Sequence, residues 1–350
     1  MKIAITADLH LKTRKEVENR YNALEKIINH CKKNNVEKII IAGDLFDENF
    51  LNYFDFDQLC KSTTNMNFYI IPGNHDMQLN TNSFTASNIK IFNNTDIEYF
   101  DNIAFLFVPY NRTKSIDEII TSFWQSQPIP NEWILIGHGD YISSIRTINE
   151  YEDGIYMPIS AKAINVFNPL KVILGHIHKY SEFGKVIYPG SPYPLNINET
   201  GKRFFLVYDT NIRKFEKIPI ETEVIYFVEN LMVVPEQDEK KFVEQKLMEI
   251  INKWQLTDEE HRKVKLRLNV YGYTKNYQEI ITFIKTLLNK HEIQLYDNNE
   301  LQTQNLYTIS PYDDKIYLIK EIKKELENTE ELKFATKEQI LEEIMKLIFK

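Results

Sequence analysis

Through the first 210 residues, short apolar runs alternate with longer segments whose apolar residues recur every three or four positions. The runs Ile3–Ala7, Ile39–Ala42, Phe68–Ile71, Ile103–Val108, Ile134–Ile136 and Val172–Leu174 predict β-strands. Between the first two, Val17, Tyr21, Leu24, Ile28 and Cys31 are spaced by alternating steps of four and three, the period of one helix face. Strand–helix–strand alternation predicts a largely parallel sheet covered by helices, an α/β fold. Val186–Tyr188, the turn Pro189-Gly190-Ser191-Pro192 and RFFLVYD (203–209) read as a closing β segment.

Near residues 216–235 the pattern changes. PIETEVIYFV and LMVVP fit a linker followed by new strands. A helix with Val243, Leu247, Ile250 and Trp254 on one stripe comes next, and then KVKLRLNV (263–270), which alternates charged or polar with apolar residues. Another helix carries Ile280, Ile284 and Leu287. This predicts a smaller second α/β domain, and the last 40 or so residues predict two amphipathic helices. The expected division is 1–215, 216–305 and 306–350.

With 350 residues the chain is long enough for two domains or for one large domain with appendages. Its 43% hydrophobic and 26% charged content is ordinary for a soluble globular protein. A formal net charge of -8 argues against a protein that coats nucleic acid nonspecifically. It leaves room for a nuclease, because a metal site and a local basic face can hold a phosphodiester on an acidic protein. Cys31 and Cys60 form no CxxC pair, so a reducing, cytoplasmic compartment is expected. The opening MKIAITADLH is too short and polar for a signal peptide. With no run of about 18 apolar residues, no membrane span is expected.

Each strong polar motif follows a predicted strand. Asp8 and His10 follow the first, GDLFD (43–47) the second and GNHD (73–76) the third. GHG (137–139) follows Ile134–Ile136, and GHIH (175–178) follows Val172–Leu174. Ligands of parallel α/β sheets bind beyond the carboxyl ends of the strands, so all five motifs are expected on one rim. Asp8, His10, Asp44, Asn74, His138, His176 and His178 combine carboxylate, amide and imidazole without thiolate. That set suits manganese, iron or zinc better than magnesium or calcium. Seven ligands suit two ions about 3.5–4 Å apart with a bridging carboxylate.

DLH, GDLFD, GNHD, GHG and GHIH together resemble the calcineurin-like metallophosphoesterase superfamily over roughly residues 1–210. GHIHKY, YPGSPYPLNINET and KRFFLVYD are similar to the SbcD-type nucleases of DNA double-strand-break repair, which pair with a coiled-coil, SMC-like ATPase. The resemblance implies a metallophosphoesterase α/β sandwich, a smaller α/β capping domain and a C-terminal helical hairpin. It implies one ion held by Asp8, His10, Asp44 and His178, and a second held by Asp44, Asn74, His138 and His176. His75 would stabilise the transition state or donate a proton, oriented by Asp47. The implied activity is a two-metal, manganese-dependent DNA exo- or endonuclease, with iron or zinc as alternative metals, in a homodimer. The sequence departs from the family at Lys12, where glycine is common, and at Phe50 and Leu51, where a proline-containing segment is usual.

Two other readings use the same scaffold: a phosphoprotein phosphatase or small-molecule phosphodiesterase, and a scaffold subunit with little activity. Against a phosphatase, no arginine stands beside the GD and GNH motifs; against a small phosphodiesterase, the chain runs well past the PGS segment; and a full set of ligands conflicts with an inactive scaffold. On KVKLRLNV, Lys263, Lys265 and Arg267 are expected to point outward and are candidate DNA contacts. In the tail, Leu318, Ile319, Ile322 and Leu326 share one stripe, and Thr336 with Gln339 reads as a capping box. After it, Ile340, Leu341, Ile344, Leu347 and Ile348 keep helical spacing. The resemblance makes residues 311–350 the ATPase-binding segment, and packing back on the chain's own domain is the alternative.

Overall fold

A computed structural model describes residues 1–143, 154–235, 238–310, 315–329 and 335–349. The chain folds into two compact units. The first comprises Met1–Leu195 and Lys202–Glu223, and the second Asn196–Gly201 and the chain from Val224 onward.

The strands of the first unit are β1 (Lys2–Thr6), β2 (Lys38–Ala42), β3 (Asn67–Ile71), β4 (Ile89–Ile91), β5 (Asp96–Phe100), β6 (Ile103–Phe107) and β7 (Trp133–His138). They continue as β8 (Tyr141–Ile142), β9 (Ile159–Ser160), β10 (Lys171–Gly175), β11 (Ser181–Phe183), β12 (Val186–Tyr188), β13 (Arg203–Asp209) and β14 (Lys214–Ile220). Its helices are α1 (Glu18–Lys33), α2 (Phe54–Lys61), α3 (Ile116–Ser126) and α4 (Ala161–Phe167).

Among the described residues these strands build two six-stranded sheets, ordered β14-β13-β1-β2-β3-β4 and β11-β12-β10-β7-β6-β5. Each is parallel in the middle and antiparallel towards one or both ends. The α/β sandwich implied by the family resemblance is thus observed, with the strands divided between two mixed sheets where the strand–helix alternation alone predicted one largely parallel sheet. The strands read as nearly continuous apolar runs because both of their faces are buried. In KIIIA, Ile40 joins Ile5, Phe105, Ile134 and Ile173 in the layer between the sheets. Ile39 and Ile41 turn the other way and pack with Tyr21, Leu24, Ile28 and Phe56 of α1 and α2. On the second sheet, Leu135 and Val172 pack with Ile120, Trp124 and Ile164 of α3 and α4. Burying each such side chain contributes about 1.5–3 kcal/mol, so a charge at Ile40 would break the sandwich from inside. Cys31 and Cys60 are free and buried.

The expected boundary after residue 215 falls inside β14. That strand pairs with β13 from Asp209↔Lys214 to Arg203↔Ile220, which carries the first unit on to Glu223.

The second unit contains β15 (Ile225–Val233), α5 (Glu239–Lys253), α6 (Asp258–His261), β16 (Val264–Thr274), α7 (Tyr277–Lys290), β17 (Gln294–Leu295), β18 (Gln302–Thr308), α8 (Lys315–Asn328) and α9 (Lys337–Ile348). β16 pairs in parallel with β15, β17 and β18. Its alternation sends Val264, Leu266, Leu268 and Val270 into a core with Val243, Leu247, Ile280 and Ile284. α9 opens on the expected capping box between Thr336 and Gln339. The tail helices do not form a separate domain from residue 306: Ile319, Leu341 and Met345 are buried in this same core. Tyr317, Leu318 and Leu347 on those helices remain exposed. Of the proposed 311–350 segment, residues 311–314, 330–334 and 350 lie outside the described residues.

Candidate metal centre

The motif residues gather where the carboxyl ends of both sheets meet. Asp8 and His10 leave β1, Asp44 leaves β2 and Asn74 follows β3, while His138 ends β7 and His176 and His178 follow β10. The expected single rim is therefore two rims facing each other. Backbone bonds lock the loops together: Asp8 N donates to Gly43 O at 3.1 Å, His10 N to Asp44 O at 3.0 Å and Leu11 N to Leu45 O at 2.8 Å. Across the sheets, His176 N donates to Asp8 Oδ1 at 2.8 Å.

Four of the expected ligands hold left-handed backbone. Asp8, His10, Asp44 and His176 have φ of +54°, +48°, +50° and +93°. For residues with a Cβ this conformation costs on the order of 1 kcal/mol each, and such strain persists where the surroundings over-determine it, often at functional sites.

Asp8, His10 and His178 offer ligand atoms within 4.8 Å of one another, as do Asp8, Asp44 and His138, and also His10, Asp44 and His75. His10 Nε2 and His178 Nε2 lie 3.1 Å apart. Asp44 Oδ2 is 3.3 Å from His138 Nε2 and 3.7 Å from His10 Nε2, and Asp44 belongs to two of these three groups. Asn74 Oδ1 stands 2.8 Å from His138 Nε2, while His138 Nδ1 faces Ala42 O at 3.0 Å. His176 stands one ring further out, its centroid 5.6 Å from that of His138, with Nε2 3.6 Å from Asp140.

Asp8 is fully buried and its Oδ2 has no hydrogen-bond partner. An orphaned carboxylate oxygen beside two or three imidazoles is what a divalent cation would satisfy. Burial pushes the Asp8 carboxyl up to about 6 against the pull of His178 and His138. Burial alone would also raise Asp44, but His138, His10 and His75 outweigh it and hold that carboxyl well below the usual range. His10 is pushed down to about 3 by burial despite Asp44. His138 goes the other way, to about 10, because Asp44 and Asp8 overcome its burial. The donor set fits metal: an anionic carboxylate, Asp44, at its centre, a neutral imidazole at His10, and at His138 an imidazole whose proton the carboxylates hold in place of a cation.

His75 takes its place from Asp44. Its backbone N donates to Asp44 Oδ1 at 2.9 Å and its Nε2 is 3.9 Å from Asp44 Oδ2. Asp47 lies 4.0 Å from His10 Nδ1, 3.3 Å from Lys12 Nζ and 3.7 Å from Arg20. The imidazole it approaches in these contacts is that of His10. Lys265 is exposed on β16. Arg267 is not an open cation, because Asp297 engages it through two bonds of 2.8 Å.

Sequence reasoning passed over two acids. Asp76, fully buried, accepts from Gly73 N at 2.7 Å and Phe46 N at 3.1 Å, tying the second and third motif loops together. Burial and the neighbouring Asp44 carry its carboxyl up to about 7. Asp140 accepts from Tyr156 N at 3.0 Å beside His176. Their signal was present as the acid closing GNHD and GHGD.

The family profile of calcineurin-like phosphoesterases matches residues 1–194. No curated protein matches the chain. Among solved structures, one described as a novel archaeal phosphodiesterase is similar over 63% of this chain and 100% of its own, at 18% identity and a TM-score of 0.33. A cold-active protein-tyrosine phosphatase from a psychrophilic Shewanella species is similar over 62% of this chain and 80% of its own, at 13% identity and a TM-score of 0.29. Neither likeness bears on substrate. Among the described residues no helix is long and apolar enough to cross a membrane.

Proposed function

Since the chain belongs to the calcineurin-like phosphoesterase family, we propose that it is a DNA nuclease of the SbcD type, hydrolysing phosphodiesters with two manganese ions at double-strand ends. The observation that carries the hydrolytic reading is the buried Asp8–Asp44–His138 group with its orphaned Asp8 oxygen, flanked by His10 and His178. Asp8, His10, Asp44 and His178 would hold one ion, and Asp44, Asn74, His138 and His176 the other. Bound divalent ions supply Lewis-acid charge that offsets the phosphate and makes water nucleophilic near neutral pH.

The chain's own residues do the rest. Asp44 sits between the two groups of ligands, so one carboxylate sets their spacing. Asp76 holds the loops that carry Asp44 and Asn74. His75 donates a proton to the leaving oxygen, a role contributing about 10²–10⁴-fold. Lys12 and Arg20, next to Asp47, place positive charge where an anionic backbone enters.

The DNA reading is supported by the SbcD-like GHIHKY and YPGSPYPLNINET segments and by a second unit that carries exposed Lys265. The tail is the docking segment for a coiled-coil ATPase: Tyr317, Leu318 and Leu347 stay exposed while the neighbouring Ile319 and Met345 are buried. The protein acts inside the cell as a homodimer. One observation favours a phosphatase instead. Arg20 reaches the Asp47 side of the site, where an arginine could clamp a monoester, although it also donates to His10 O.

The test is hydrolysis by the full chain with manganese, on a linear duplex and on a phosphopeptide. Manganese-dependent shortening of the duplex, lost in Asp44→Ala, is expected. Phosphate release from the peptide with an intact duplex would replace this reading by the phosphatase.

A further inference from the structure

Away from the metal centre, at the opposite ends of its strands, the first unit has a cavity lined by charged, aromatic and aliphatic side chains. It measures about 350 Å³ and lies where β10, β12, β13 and β14 come together. Lys171 opens β10 and His176 follows its end, so the cavity lies roughly 16 Å along the strand from the metal centre.

Three observations define it. First, its lining carries Lys171, Arg213, Lys214 and Lys217 against one carboxylate, Glu182, in a chain of net charge -8. Glu132 pairs with Arg213 at 2.7 Å and Glu182 with Lys171 at 2.7 Å, which leaves Lys214 and Lys217 as surplus charge. Second, the walls are aromatic. The Lys217 ammonium lies 4.3 Å from the Tyr180 ring centre and 4.4 Å from that of Phe204, and Phe215 packs on Tyr208 at 4.5 Å. Third, Tyr208 lines the cavity at 1% exposure, and its hydroxyl has no hydrogen-bond partner. A buried phenol left unpaired is a standing cost that a protein relieves by a partner or by a ligand.

The charged groups that act electrostatically on that hydroxyl are Arg213, Glu132 and Asp209. Arg213 is more than half exposed and sits in left-handed backbone at φ +55°.

We propose that this cavity is a binding site for a small organic anion that joins a flat ring to a phosphate, of the nucleoside monophosphate class. The volume falls within the range of small-molecule sites, about 300–1,000 Å³. Lys214, Lys217 and Arg213 take the phosphate, Tyr180 and Phe215 the ring, and the Tyr208 hydroxyl donates to an acceptor on either. Binding, and not turnover, is the claim, so it stands or falls separately from the nuclease reading.

Calorimetric titration of the metal-loaded full chain with AMP, inorganic phosphate and adenosine tests it. AMP should saturate below about 1 mM, with phosphate and adenosine each weaker by roughly tenfold or more. Lys214→Ala/Lys217→Ala should weaken AMP by about tenfold while keeping hydrolytic activity. Tyr208→Phe should lose most of the AMP-induced rise in melting temperature, with the unliganded protein melting no lower than wild type. A purely structural tyrosine would lower the unliganded melting temperature instead. No saturable AMP binding, equal affinity for inorganic phosphate, or unchanged binding in the double variant would overturn the proposal.

Discussion

Gly43→Ala is a one-carbon perturbation aimed at the metal centre without touching a ligand. A Cβ built on Gly43 falls 2.1 Å from His138 Nδ1, 2.6 Å from its Cγ and 2.9 Å from its Cε1. Ordinary contact begins at 3.4 Å, so the ring must retreat by about 1.3 Å. That retreat breaks the 3.0 Å contact between His138 Nδ1 and Ala42 O and pulls Nε2 away from Asn74 and Asp44. Leaving those buried groups unpaired costs about 1–3 kcal/mol. Forcing alanine to the φ of +91° adds on the order of 1 kcal/mol. Misplacing a catalytic group by about 1 Å costs up to roughly 100-fold in rate. Gly184→Ala is the control: at φ +61° it bears comparable backbone strain but meets nothing within 4 Å. Elemental analysis, activity and urea denaturation of both variants check the reasoning. Gly43→Ala should lose metal and about two orders of magnitude of activity, while Gly184→Ala should lose only about 1 kcal/mol of stability. Full metal content and near-normal activity in Gly43→Ala, or equal damage in Gly184→Ala, would refute it.

Three further outcomes are expected. His75→Ala should lower activity by about 10²–10⁴-fold with both metals retained, and loss of one metal by elemental analysis would place His75 in the ligand shell. With metal chelated, Asp8 titrates at about 6 in the folded state against 3.8 unfolded. Its contribution is therefore full below pH 3.8 and lost as pH rises through 6, roughly 3 kcal/mol in all. Added metal should abolish that decline, and identical urea midpoints at pH 5 and pH 8 in chelator would contradict it. Asp57 has the opposite sign. Its burial is outweighed by Lys61, Thr85 and Ala86, which hold its carboxyl at about 2. It stabilises above pH 3.8 by about 2.5 kcal/mol and loses this as pH falls through 2, so Asp57→Asn should flatten the acid limb of a stability–pH curve.

Local chemistry made much of this protein legible in its sequence. Runs such as Ile39–Ala42 and RFFLVYD read as strands because period and β-branching act over a few residues, and they appear within a residue or so of the expected ends. Asp8, His10, Asp44, Asn74, His138 and His178 read as a site because each follows such a strand at its glycine or acid turn. The amphipathic stripe of α1 and the capping box of α9 were legible for the same reason. Tertiary structure decided what depends on partners distant in the chain. Strand pairing is non-local, so only the fold splits the strands between two sheets and lets β14 close against β13. In the tail, Ile319 is buried and Leu318 exposed on one helix, a choice made by the surface it meets and not by spacing. Arg267 looked like an open cation until Asp297, 30 residues away in sequence, came to lie against it. The acids of GNHD and GHGD were visible, but what Asp76 and Asp140 do depends on backbone donors that arrive from other loops. The unpaired hydroxyl of Tyr208 has no sequence signature at all, because a missing partner exists only once every other group has found its place.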